Sequence, residues 1–188
     1  LIEQQNTDRL NWLVPVRRAR MVASPFAFYR AGAGLMARDL ATTPRSGLLV
    51  QACGDAHLAN FGLYASPERK LVFDLNDFDE TLLAPWEWDL KRLAASFVIA
   101  GRHNQLDTEA IRNATMGVVR GYRTAIKDFA AMRATDIWYA HFDEQRYLKL
   151  ADREGKARRA MKTIAKAKRK DSRQALDRLT EEFDGQYR

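Results

Sequence analysis

Two short acidic segments hold the residues whose types and spacing could do chemistry: Gly54-Asp55-Ala56-His57-Leu58-Ala59-Asn60 and Asp74-Leu75-Asn76-Asp77-Phe78-Asp79-Glu80. Phosphoryl transfer from a nucleotide needs few protein groups. A carboxylate must orient the acceptor and take its proton, and Mg²⁺ must neutralise charge on the phosphates. Mg²⁺ prefers hard oxygen ligands, usually one or two carboxylates completed by waters and phosphate oxygens. Asp55 suits the acceptor-orienting role, and Asn60 could return to the same place as a neutral oxygen ligand. Asp77 supplies a carboxylate for the metal. Asp79 or Asp74 could add another, and their spacing does not choose between them.

Each of these residues also has a plainer reading. Asp and Asn commonly close turns at strand ends. His57 could touch substrate or phosphate, or brace its own loop. Arg30 and Arg92 could meet phosphate, or form ion pairs with the acidic loops. Cys53 follows an apolar run and reads as a small buried hydrophobe. What weighs toward chemistry is that two such segments occur in order, each behind an apolar run.

Those runs, Leu48 to Cys53 and Leu71 to Phe73, read as strands, with Ser66-Pro67-Glu68-Arg69-Lys70 as the turn between them. The expectation is a small antiparallel hairpin that carries the site. Helices dominate elsewhere. Ser24-Pro25 reads as an N-cap with proline at the first helical position. The helix-like stretch that follows, Phe26 to Leu40, is weakened by Gly32 and Gly34. Residues 43–47 form a loop by their turn chemistry. Pro85 begins a second helical region in which Leu90, Leu93, Ala94, Phe97 and Val98 make a core-facing stripe. Asp107 caps a third helix, whose Ile111, Ala114, Val118, Tyr122, Ile126 and Phe129 repeat cleanly. A thinner stripe (Met161, Ile164, Leu176, Leu179, Phe183) marks the C-terminal segment.

Composition sets wider bounds. A chain of 188 residues is long enough for one domain with its own core. No apolar run approaches the ~20 residues of a membrane helix. The single cysteine cannot form an internal disulfide, which fits a reducing cytoplasm. The net charge of +7 is uneven, since residues 149–178 hold twelve Lys/Arg against four Asp/Glu. A basic helical segment over 149–183 is therefore the only place for a nucleic-acid or acidic-partner surface. It reads more readily as a solvated helix face. The absence of an initial Met and the end at Arg188 suggest a fragment.

The loop from Gly54 to Asn60 resembles the His-Gly-Asp-x-His-x-x-Asn loop of aminoglycoside and choline kinases. Asp77-Phe78 resembles their metal-binding Asp-Phe, and Trp88-Asp89-Leu90 resembles the Asp-Leu that opens a helix and buttresses the loop. In this chain Cys53 stands at the first His of that motif, and no phosphate-cradling Gly loop with a strand Lys precedes Asp55. A closer resemblance spans nearly the whole chain. Ser24 to Arg30, Cys53 to Gly62, Phe73 to Thr81 and Pro85 to Leu93 are similar to the bacterial family called domain of unknown function 2252, itself grouped with kinase-like phosphotransferases.

The resemblance implies a mostly helical α+β chain like the catalytic, C-terminal lobe of a protein-kinase-like phosphotransferase. Residues 1–188 would be part of such a domain, with the nucleotide-covering lobe beyond Arg188. It implies Asp55 as the catalytic carboxylate, with Asn60, Asp77 and Asp79 on Mg²⁺. It implies support for the loop from Asp89; His57 and Arg30, on their residue types alone, stand as candidate contacts to substrate or phosphate. The reaction would be Mg²⁺-dependent transfer of a phosphoryl or nucleotidyl group from ATP to an unidentified acceptor, in the cytoplasm. The rival reading is a non-catalytic binding module, with a divalent ion in the acidic loops and a basic surface for nucleic acid or an acidic partner. A metal-dependent hydrolase is a third reading, but only His57 lies near the acids.

Overall fold

A computed structural model of the chain describes residues 2–7, 9–66, 70–140, 144–153, 155–169, 182–183 and 186–187. The chain is mostly helical, with small two-stranded sheets. It divides into two compact units, Leu1–Phe61 with Leu75–Arg133, and Gly62–Asp74 with Ala134–Arg188.

The first unit opens with a 3-10 turn, Asn11–Leu13, that runs into helix α1, Val14–Val22. Helix α2, Pro25–Arg30, starts where the sequence reading places it: the Ser24 hydroxyl accepts the Ala27 N–H at 3.0 Å, ahead of Pro25 at the first helical position. The expected continuous stretch to Leu40 breaks at Gly32, which stands at the N-terminus of helix α3, Ala33–Leu40. Strand β1, Leu49–Ala52, follows the loop.

The strand pairing differs from the expected hairpin. Strand β1 pairs antiparallel with strand β4, Leu82–Pro85, with Leu49 opposite Pro85 and Ala52 opposite Leu82. Strand β3, Leu71–Leu75, pairs instead with strand β2, Phe61–Ala65. Pro85 thus ends a strand, where its missing N–H is tolerated. The helix after it, α4, starts at Glu87 and runs to His103. Helix α5, Thr108–Ala130, is capped by Asp107, whose Oδ1 accepts the Ala110 N–H at 2.7 Å.

The core of this unit is built from small groups. Its buried apolar residues are Met21, Ala33, Leu40, Ala52, Cys53, Ala56 and Ala84. On α4 the expected stripe of Leu90, Leu93, Ala94, Phe97 and Val98 is only half-buried, and the buried positions are Arg92, Ser96 and Gly101. No residue of α5 is buried; Ile111, Thr115, Val118 and Tyr122 form its half-buried line, and Ala114 and Ile126 are exposed. Tyr122 stacks on Trp86 at 5.8 Å between ring centres.

In the second unit, helices α6 (Ala134–Trp138), α7 (Glu144–Arg153) and α8 (Ala157–Arg169) accompany the β2–β3 ribbon. Leu71, Ile164 and Ala167 form its core, with Leu63, Tyr147 and Leu148 packed on it. Ala160, Ile164 and Ala167 repeat along the buried side of α8, while Lys162, Lys166 and Lys168 are exposed. The basic segment is therefore helical in part only, because Glu182–Phe183 is a short strand, β5, paired with β6, Gln186–Tyr187. Leu176 and Leu179 of the expected stripe lie outside the described residues. Among the described residues no helix is long and apolar enough to cross a membrane.

Candidate active site

The acidic loop after β1 is held by the first and second turns of α4. Gly54 has φ +78°, and a Cβ there would stand 2.0 Å from the Glu80 carbonyl oxygen, so only glycine fits. Both Asp89 carboxylate oxygens accept backbone N–H groups from this turn, Cys53 at 2.7 Å and Gly54 at 3.0 Å. Three residues on, Arg92 donates through Nε to Asp55 Oδ1 at 2.7 Å, and its Nη2 also reaches Oδ1. One further turn along, Ser96 is fully buried; its hydroxyl accepts the Leu58 N–H at 2.9 Å and donates to the Leu93 carbonyl. One side of α4 is therefore a polar rail, Asp89, Arg92 and Ser96, on which the loop is mounted.

Arg92 is only 2 % exposed. Besides Asp55 it donates to the Tyr29 carbonyl at 3.1 Å and lies over the Tyr29 ring at 4.7 Å. The Tyr29 hydroxyl donates to the Arg92 carbonyl at 2.8 Å, and burial pushes that phenol up to about 12. A buried cation with this many partners is a fixed counter-charge for Asp55. Burial nonetheless outweighs Arg92 and holds the Asp55 carboxyl above its ordinary range.

His57 is buried, and its Nδ1 accepts the Ala59 N–H at 3.1 Å. The imidazole thus braces its own loop, and the neutral ring carries its proton on Nε2, 3.6 Å from Asp55 Oδ2. Burial, with the Arg92 and Arg30 charges, pushes its pKa down to about 4.

Asn60 joins the two acidic segments. Its side-chain amide nitrogen donates to the Asp55 carbonyl at 3.0 Å and to the Asp77 carbonyl at 3.1 Å. Asn76 returns the contact, giving its backbone N–H at 2.8 Å and its Nδ2 at 3.2 Å to the Asn60 carbonyl. Asp55, His57, Asn60 and Asp77 then line one cavity of about 1120 Å³, with Arg30 on its wall. Asp79 lines a different, smaller pocket beside Gly54 and Trp88, and its N–H donates to Asp77 Oδ1 at 3.2 Å. The structure therefore brings Asp55, Asn60 and Asp77 together and places Asp79 apart. Among the described residues no three His, Cys, Asp or Glu side chains cluster as a metal cage.

Several contributors escaped the sequence reading. Tyr29 and Ser96 sit in apolar-looking helices and gave no signal beyond an isolated polar atom. Arg9, Arg17 and Arg20 also line the cavity, and the sequence reading assigned them no role. Cys53 is buried, as expected, and burial raises its thiol pKa.

These features define a mostly helical α+β protein whose acidic loops meet around a half-buried Asp55 paired with a buried Arg92. Residues 9–188 match the model of a family described as an uncharacterized protein conserved in bacteria, DUF2252, and the chain belongs to that family. Comparison with curated proteins and with solved structures gave no match.

Proposed function

We propose that the chain carries the acceptor-and-metal side of a Mg²⁺-dependent phosphotransferase that moves a phosphoryl or nucleotidyl group from ATP to an acceptor. One observation carries this reading: Asp55, Asn60 and Asp77 share a cavity and are tied together through the Asn60 amide. The likeness to the catalytic lobe of kinase-like enzymes is part of the same proposal and rests on the motif order. Asp55 Oδ1 is fixed by Arg92, so Oδ2 is the oxygen left to orient an acceptor hydroxyl and take its proton. Its raised pKa makes it a better base than an ordinary carboxylate.

The donor set fits Mg²⁺ that arrives on a nucleotide. Asp77 keeps one carboxylate oxygen after the other accepts the Asp79 N–H, and Mg²⁺ needs no more than one or two protein carboxylates when phosphates complete its shell. The ion would supply charge neutralisation on the phosphates. Asp77 would hold it, with Asn60 positioning the Asp77 backbone. Asp79 could join only from its separate pocket.

The test is ATP turnover and Mg²⁺-dependent nucleotide binding in Asp55→Asn and Asp77→Asn. Asparagine at 55 still offers Arg92 an acceptor. The expected result is a loss of about a hundredfold or more in turnover for Asp55→Asn with little change in nucleotide affinity. Asp77→Asn should weaken Mg²⁺-dependent binding as well. Small and equal effects would favour the rival, a binding module with a basic surface for nucleic acid or an acidic partner.

A further inference from the structure

The cavity that holds the acids is also lined by basic residues. Leu13, Val16, Arg17, Arg20 and Met21 fall at helical spacing of three and four on α1 and its leading turn, and all line the cavity. The arginines on α1 that line it therefore sit on the inward side of the helix. Arg9 and Arg30 join Arg17 and Arg20 in the lining. Half-buried Arg17 and exposed Arg9, Arg20 and Arg30 thus all border one space.

None of these groups is in a close ion pair, although the Glu80 charge acts on Arg17 and Asp55 on Arg30 from further away. Among the described residues no carboxylate oxygen lies within 4.0 Å of any of the four. Of the two carboxylates lining the same cavity, Asp55 is already paired with Arg92. Arg17 is held in place, with Nη1 donating to Asn6 Oδ1 at 3.0 Å and Nη2 to the Ala31 carbonyl at 3.3 Å. Arg20 and Arg30 make no hydrogen bond or ion pair through their guanidinium groups among the described residues. The field reaches the acids: Arg30 acts on both Asp55 and His57, and Arg9 joins burial in lowering the Arg17 pKa. Guanidinium forks match phosphate oxygens in pairs, which makes such a wall suited to a phosphate rather than to a diffuse anion.

We propose that Arg20 and Arg30, backed by Arg17 and Arg9, form an oxyanion site that seats a phosphate group of a small ligand beside Asp55. As a substrate site it rests on the phosphotransfer reading. The phosphate would then belong either to a phosphorylated acceptor or to the nucleotide, held from helix α1 and not from a Gly loop with a strand Lys. As an anion site it stands on the lining alone.

The experiment is calorimetric titration of the 188-residue chain with inorganic pyrophosphate, without Mg²⁺, in wild type and in Arg20→Gln, Arg30→Gln, Arg20→Lys and Arg38→Gln. Neither Arg20 nor Arg30 makes a side-chain bond that the fold needs, and thermal melts confirm folding of each variant. The expected result is pyrophosphate binding that weakens about tenfold in each of Arg20→Gln and Arg30→Gln. Arg20→Lys should recover part of the loss, and Arg38→Gln should match wild type. No pyrophosphate binding in wild type, or binding indifferent to both Gln variants, overturns the site even if Asp55 and Asp77 prove essential for ATP turnover. Arginine-dependent binding in a chain whose turnover ignores Asp55→Asn and Asp77→Asn upholds the anion site and removes the phosphotransferase. Titration with ATP separates the sources. Weakening in parallel with pyrophosphate assigns the phosphate to the nucleotide, and unchanged ATP affinity assigns it to the acceptor.

Discussion

Asp55 and its two neighbours set the chemistry at the residue scale. Arg92 is the buried counter-charge for a half-buried carboxylate, so Arg92→Met would leave that charge unpaired. Breaking one side of a fully buried pair typically costs about 3–5 kcal/mol, and because Asp55 keeps some contact with solvent, denaturant unfolding should show a loss below that range. Asp55→Asn should cost less, because Arg92 keeps its bonds to the Tyr29 and Arg30 carbonyls. His57 gives a pH signature. Its folded pKa, about 4, lies below its ordinary 6.5, so the unfolded chain takes up a proton that the folded chain refuses. Stability therefore falls as pH drops through that window. Asp55 acts with the opposite slope, since its raised carboxyl binds a proton more readily when folded. His57→Gln should flatten the acid loss: urea midpoints at about pH 7 and about pH 5 should differ less than in wild type. An unchanged difference would mean that the imidazole titrates freely.

At the scale of elements, the polar rail on α4 decides what the loop can do. Ser96 is fully enclosed, and Ser96→Ala leaves the Leu58 N–H without its acceptor. An orphaned buried donor costs about 1–3 kcal/mol, and the loss should appear both in thermal stability and in faster amide exchange at Leu58. Gly54→Ala should be worse. It adds a clash with Glu80 to the ~1–3 kcal/mol of a strained backbone, and soluble yield should fall with stability. The elements also show what a sequence discloses. Ser24 and Asp107 were legible because a cap bonds to a backbone N–H only three residues away, at Ala27 and Ala110. The sequence order of Asp55, Asn60, Asp77 and Asp89 pointed to a common site, and these residues do gather in one unit. The pairing of β1 with β4 was hidden, because it joins residues 30 to 36 positions apart and nothing local records it. The rail was legible in part: Arg92 read as a possible ion-pair partner of the acidic loops and Asp89 as a support of the loop, while Ser96 gave no signal because an apolar stripe dominates the periodicity of α4.

At the scale of the whole chain, the site lies within one of the two units, and all residues from Cys53 to Asn60 belong to it. Protection should follow this division. The loop amides of Cys53, Gly54 and Leu58 each have a side-chain acceptor. Helix α6 buries no residue, and Trp138 is 83 % exposed. Hydrogen exchange read by mass spectrometry should therefore find the loop far slower to exchange than Ala134–Trp138. Equal rates would show that α4 does not secure the loop. The chain leaves the first unit at Phe61 and comes back at Leu75, and Asn60 and Asn76 stand just outside those crossing points. Two donors of Asn76 grip the single Asn60 carbonyl, so the excursion is clasped at its neck. In mechanical terms that clasp is a strain relief. A pull or a thermal tear that unzips β2 from β3 meets two hydrogen bonds before it can tug on the Asn60 amide that holds Asp55 to Asp77.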